Sequence, residues 1–399
     1  MKRLSTLLLC LLVLCISLQA SAQNRLVAVT YQKLMTVPDQ FDALFKDYGK
    51  DLLPKDSVTV TKIAKAIKKI SPDVLFVCLN YRTEDPSGKE VIASGLLALP
   101  EGRIKGVINV APFCREKAWA PTAHKWTLES MPSVRGYAVL VPDTIGYGET
   151  ADEVVPLLLS DNIALVSVHF RQAVEEFMQT LDKPRKLPAK TIFFGYSLGA
   201  AGALATAAYY HSHPELGVKA KTVYLGSGAY DPVLSIQSTV AAGESDYMLY
   251  PAIVRSLNQW KGLNLDKDQL FHGPILDDFD FVSSCDTDMT ELAKVYGADL
   301  HGYLHPDWFT QQKNPEINRL MDFLETLKVT VDRNTLRHGT KIYLRHSEED
   351  RYVPIECTDS LKKELRRNGY SNVTYFRSKH GDHYNQGGLS VLDIFLMVL

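Results

Sequence analysis

Apolar positions along this chain change their spacing in a way that marks out its parts. Short, nearly continuous apolar runs recur at 74–81, 92–99, 106–111, 137–141, 191–194 and 222–225. Runs of that length, punctuated by Gly, Pro and Asp, predict strands. Asp85-Pro86-Ser87-Gly88 between the first two predicts the turn of a hairpin. Farther on, Ile163, Val166, Phe170, Val174, Phe177 and Leu181 recur every three or four residues and predict a helix with one apolar face, ended before Pro184. From about 230 to 337 the strand pattern is lost and helical stretches dominate, with 315–327 the clearest. Strand runs resume at 341–344 and 372–376, separated by a helix that Asn368-Gly369 stops.

Strands alternating with helices predict an α/β protein, with a mostly parallel central sheet flanked by helices on both faces. Two helical stretches, at 39–48 and 59–70, precede the first strand and predict an N-terminal extension over 23–73. The predicted core is therefore 74–229 and 338–399, interrupted by an inserted helical cap over 230–337.

The first residues follow a different rule. Lys2 and Arg3 precede an apolar run at 7–18, and Ala20-Ser21-Ala22 supplies a small-x-small cleavage site. Residues 1–22 are read as a secretory signal peptide, so the mature protein is expected to be secreted or periplasmic, with no stable membrane span. Composition then narrows the function classes. The chain of 399 residues is 46% hydrophobic and 23% charged, with a formal net charge of −2, which excludes a disordered chain and offers no basic surface for nucleic acid. Cys78, Cys114, Cys285 and Cys357 remain after signal removal, and four cysteines permit three full pairings. The histidines form no metal-ligand spacing such as H-E-x-x-H, so neither metal nor cofactor is expected.

The strongest chemical signal is Gly195-Tyr196-Ser197-Leu198-Gly199, placed between the strand-like Thr191-Ile192-Phe193-Phe194 and the small-residue helix opening Ala200-Ala201-Gly202-Ala203. A serine on so sharp a strand-to-helix turn needs glycines two positions to either side, because side chains there would collide. The turn also sets Ser197 at a helix N-terminus, where the dipole favours the anion formed in acyl transfer. Ser197 is thus the candidate nucleophile. Such a serine requires a base and an orienting acid, in the chain order Ser, Asp or Glu, His. Glu348, Glu349 and Asp350 follow the strand at 341–344, and His380 and His383 follow the last strand. The oxyanion requires two backbone N–H groups. Leu198 supplies one, and the loop after 106–111 supplies the other. Pro112 has no N–H, which leaves Phe113, with Cys114 next.

Several segments together resemble the secretory lipase family and related bacterial secreted esterases of the α/β-hydrolase superfamily. They are the hairpin with Ala93-Ser94-Gly95-Leu96-Leu97, the stretch Gly136-Tyr137-Ala138-Val139-Leu140-Val141-Pro142-Asp143, the serine turn, and Asp382-His383 before a terminal apolar helix. Arg345-His346-Ser347-Glu348-Glu349-Asp350-Arg351-Tyr352-Val353-Pro354 resembles the acid loop of these proteins, with Ser347 where they carry glycine. The loop after 106–111 lacks the His-Gly pair common in esterases. The resemblance implies the α/β-hydrolase fold, Asp350 as the acid, and His383 rather than His380 as the base. It also implies a cofactor-free serine esterase or lipase acting on a small-molecule, lipid or acylated-glycan ester. A serine exopeptidase on the same scaffold, anchored by acidic residues such as Asp277, Asp278 and Asp280, is the alternative within the class. A non-catalytic binding protein is the alternative outside it. Aromatic residues of the cap, Tyr247, Tyr250, Trp260 and Trp308, are expected to shape a pocket.

Overall fold

The structure is a computed structural model that describes residues 24–40, 42, 43, 46, 72–310 and 314–398. The signal segment 1–22 and the helical stretch expected at 59–70 lie outside the described residues, as does most of the stretch expected at 39–48, of which residues 39 and 40 belong to a helical turn over 37–40.

Among the described residues nine strands form one sheet: β1 (Leu26–Met35), β2 (Val74–Glu84), β3 (Glu90–Pro100), β4 (Gly106–Val110), β5 (Tyr137–Pro142), β6 (Lys190–Tyr196), β7 (Lys219–Gly226), β8 (Lys341–Ser347) and β9 (Val373–Ser378). Their order across the sheet is β1-β2-β3-β5-β4-β6-β7-β8-β9. The pairs from β1 to β5 are antiparallel, and every pair from β5 to β9 is parallel. All of the strands expected from apolar runs are present. β1 was not expected. It forms the edge of the sheet beside β2, with Leu26 opposite Tyr81 and Met35 opposite Val74, so part of the 23–73 segment belongs to the sheet.

Eight α-helices of eight residues or more are described: α1 (Ser160–Gln179), α2 (Leu198–Ser212), α3 (Pro232–Ala242), α4 (Tyr250–Lys261), α5 (Met289–Tyr296), α6 (Pro315–Thr326), α7 (Ile355–Arg367) and α8 (His383–Met397). Alternation within the strands divides the core between two faces. Phe193 packs with Ala203 and Leu204 of α2 and Leu361 of α7, whereas Ile192 and Phe194 pack with Val391 and Ile394 of α8. The described residues between β7 and β8 contain α3 to α6 and no sheet strand.

The strand order fixes where a site belongs. β5 lies on one side of β4 and β6 on the other, so the chain reverses its direction of travel across the sheet there. Loops leaving the carboxyl ends of two such neighbours splay apart and open a crevice. The segments leaving β4 and β6 carry Phe113 and Ser197.

Candidate active site

Ser197 sits between β6 and α2 with φ 54° and ψ −127°, a conformation that costs a residue with a side chain free energy. The surroundings leave no other path. A Cβ on Gly195 would strike the carbonyl of Gly199, and one on Gly199 would lie 2.5 Å from the carbonyl oxygen of Ala111. The turn is further held by the Ser197 N–H, which donates to the Gly226 carbonyl of β7 at 2.8 Å.

His383 is the first residue of α8, and the Asp382 carboxylate caps that helix by accepting the Asn385 N–H at 2.8 Å. The Tyr196 hydroxyl donates to the His383 carbonyl, and the two rings lie 4.9 Å apart. The imidazole is thereby set between two partners: Nδ1 is 2.7 Å from Asp350 Oδ2, and Nε2 is 3.0 Å from Ser197 Oγ. An ionised carboxylate only accepts, so Nδ1 carries the proton and Nε2 is free to accept from the serine hydroxyl.

Asp350 is buried at the end of the β8 loop. Its Oδ1 accepts the N–H groups of Tyr352 and Val353, each at 3.0 Å. Burial alone would push this carboxyl up, but hydrogen bonds from His346 and His383 outweigh it and hold the group well below the usual carboxylate range. His346 is the site residue to which the sequence assigned no role. It is fully buried, with Nε2 2.9 Å from the Val353 carbonyl and 3.3 Å from Asp350 Oδ2. Both partners accept, so Nε2 carries its proton, while Nδ1 takes a hydrogen bond from Thr358 Oγ1 at 2.7 Å.

The competing residues are engaged elsewhere. Glu349 meets His380 Nδ1 at 3.0 Å and the Gly381 N–H at 2.8 Å, on the surface. Glu348 pairs with Arg377 at 2.9 Å.

Leu198 opens α2, where helix geometry leaves the first N–H groups without intrahelical acceptors. The loop after β4 passes directly beside it, since the carbonyls of Ala111 and Pro112 bound Gly199. Phe113 packs edge-on against Tyr196, with ring centroids 5.8 Å apart. The Tyr147 hydroxyl pins the loop just beyond, donating to the Arg115 carbonyl at 2.7 Å. Cys114 follows at the cavity wall. A hydrogen bond from Cys285 pulls its thiol below the ordinary value, against the opposing effect of burial. All four thiols among the described residues are free.

Two cavities meet at this point, sharing Cys114, Ser197, Tyr247 and His383 as walls. Tyr250 lines one of them, as expected. Trp260 and Trp308 instead brace the scaffold, their indole N–H groups donating to the Val154 and Leu270 carbonyls, each at 3.0 Å. None of Asp277, Asp278 and Asp280 lines either cavity. Among the described residues, no group of three His, Cys, Asp or Glu is placed to hold a metal ion.

Solved structures of other proteins share this arrangement of strands and helices. A rice cell wall degrading esterase, LipA from Xanthomonas oryzae, superimposes with a TM-score of 0.71 at 18% identity, over 94% of this chain and 97% of that one. A candidate hydrolase from Legionella pneumophila gives 0.71 at 19% identity, over 93% and 98% of the two chains. The chain has the α/β-hydrolase fold. Candida antarctica lipase A is a more distant match, with a TM-score of 0.56 at 12% identity over 92% of this chain and 79% of that one. No protein-family model and no curated protein matches the sequence. Within the α/β-hydrolase fold the serine turn leaves β6, the acid loop leaves β8, and the histidine follows β9, so three separate strands deliver the three side chains to one end of the sheet.

Proposed function

We propose that this protein is a serine hydrolase of carboxylic esters, with Ser197 as nucleophile, His383 as base and acid, and Asp350 as the orienting carboxylate. The observation that carries the proposal is the unbroken hydrogen-bonded chain from Ser197 Oγ through both ring nitrogens of His383 to Asp350 Oδ2. His383 Nε2 takes the hydroxyl proton as Oγ bonds to the ester carbon, and the carbonyl electrons move onto oxygen. The N–H groups of Leu198 and Phe113 are proposed to receive that oxyanion. Collapse breaks the bond to the alcohol oxygen, to which the imidazolium returns the proton. Water then repeats the sequence on the acyl-enzyme and releases the acid.

An esterase and a lipase share the fold, which supports ester cleavage over the other chemistries that the fold hosts. We further propose that residues 1–22 direct export, on the pattern of Lys2 and Arg3, the apolar run at 7–18 and Ala20-Ser21-Ala22. Residues 230–337 are proposed to act as a cap that shapes the pocket without supplying the triad. Purified protein is expected to hydrolyse nitrophenyl butyrate, and Ser197→Ala to lose about 10⁶ in kcat while remaining folded. Activity of the folded variant within about tenfold of wild type contradicts the proposal. Turnover of aminoacyl-nitroanilides in place of esters would replace ester cleavage by peptide cleavage on the same residues.

A further inference from the structure

The two cavities that meet at Ser197 differ in size and in chemistry. The smaller, about 80 Å³, runs beneath α3 and α4 and has no Asp, Glu, Lys or Arg among its lining residues. The larger, about 630 Å³, carries Arg115, Glu116, Glu129 and Asp288. An aliphatic acyl chain gains by entering the first and would have to desolvate charged groups in the second. From this contrast we infer that the smaller cavity is the acyl site and that it admits chains of about four carbons or fewer, the larger cavity taking the alcohol portion. The inference rests on the ester hydrolysis at Ser197 proposed above.

The length limit follows from volume and from the walls. A dry protein cavity of about 150 Å³ holds a six-carbon benzene ring, and this one has about 80 Å³. Leu157, Ile236 and Ile253 line it, and all three belong to one densely packed core cluster. Thr239 of α3 and Tyr250 of α4 both line it, so two helices contribute to its wall. Such walls do not yield cheaply, because forcing extra methylenes into a packed core strains rotamers and backbone. Each methylene that finds room raises transition-state binding by about fourfold, and each one beyond the limit loses that gain.

The test is kcat/KM across nitrophenyl esters from acetate to decanoate, for wild type and for Ile236→Ala and Ile253→Ala. The wild-type profile is expected to peak at or before butyrate and to fall for longer chains. Truncating either isoleucine side chain enlarges the cavity and is expected to raise the octanoate-to-butyrate ratio by about tenfold or more. Wild-type protein that cleaves octanoate as fast as butyrate overturns the length limit without any variant, and leaves the nucleophile assignment standing. An unchanged ratio in both variants, with native circular dichroism, overturns the placement of the acyl chain. Wild-type protein silent on every chain length, and unlabelled at Ser197 by a fluorophosphonate, overturns the proposed function together with this inference.

Discussion

Two acid–histidine pairs lie within a few residues of each other at the carboxyl end of the sheet. His383 and Asp350 are both buried and meet at 2.7 Å. His380 and Glu349 meet at 3.0 Å, but His380 is 86% exposed. The residue chemistry is nearly the same, and both pairs draw on the β8 loop and the segment after β9. What separates them is the remaining geometry. The His383 ring has its second nitrogen on Ser197 Oγ, and Asp350 is anchored by two backbone N–H groups and by His346. Glu349 accepts from His380 and from the Gly381 N–H at the exposed surface, where such a pair contributes little. An acid beside a histidine is common; a desolvated acid that fixes which ring nitrogen carries the proton is what the chemistry requires.

Breaking the buried pair is expected to have the largest effect. His383→Ala should lose about 10⁴ to 10⁶ in kcat on nitrophenyl butyrate, whereas His380→Ala should stay within about threefold of wild type. The reverse outcome in folded variants would move the base to the exposed pair. Asp350→Asn, which keeps the shape but frees the imidazole to adopt the other tautomer, should cost about 10⁴ in kcat, against no more than about threefold for Glu349→Gln.

A smaller effect separates the pairs by stability. Asp350 has a folded value below its unfolded one, so its contribution is full above the unfolded value of about 3.9 and is lost as pH falls through the folded value. The Tm advantage of wild type over Asp350→Asn should therefore narrow as pH is lowered from about 5 toward about 2. Glu349 is also held below its ordinary value, first by its hydrogen bond with His380, but it is solvated. Glu349→Gln should leave Tm nearly unchanged across the same range at about 0.15 M salt. A Tm gap for Asp350→Asn that stays constant with pH would contradict the asymmetry.

The scaffold beneath the buried pair gives a further test. Gly195→Ala should destabilise the fold by about 3 kcal/mol, because the added carbon meets the Gly199 backbone rather than a movable side chain, and thermal unfolding should show it.

What the sequence disclosed follows the range of the interactions involved. The serine turn was legible because strand, glycines and small-residue helix are contiguous, and each is required by its neighbours. The strands from β2 to β8 announced themselves through buried apolar runs, and β9 through its β-branched and aromatic residues. β1 did not, because it is an edge strand with most of its side chains at least partly exposed, paired with a strand far along the chain. Asp350 and His383 emerged only through resemblance to a known acid loop and a terminal Asp-His, since nothing local distinguishes them from Glu349 and His380. The part of His346 went unrecognised for the same reason: its partners Val353 and Thr358 are brought around it only once the β8 loop turns back into α7. The contrast between the two cavities was out of reach of the sequence, as their walls come from α3, α4, α8 and the loop after β4.

The most direct measurement is site-resolved labelling with a fluorophosphonate, read by peptide mass spectrometry on wild type, Ser197→Ala and His383→Ala. The account predicts one equivalent of label on Ser197 in the wild type, none in Ser197→Ala, and labelling slowed by orders of magnitude in His383→Ala. Label on another serine, or labelling of Ser197 that is indifferent to the loss of His383, would contradict it.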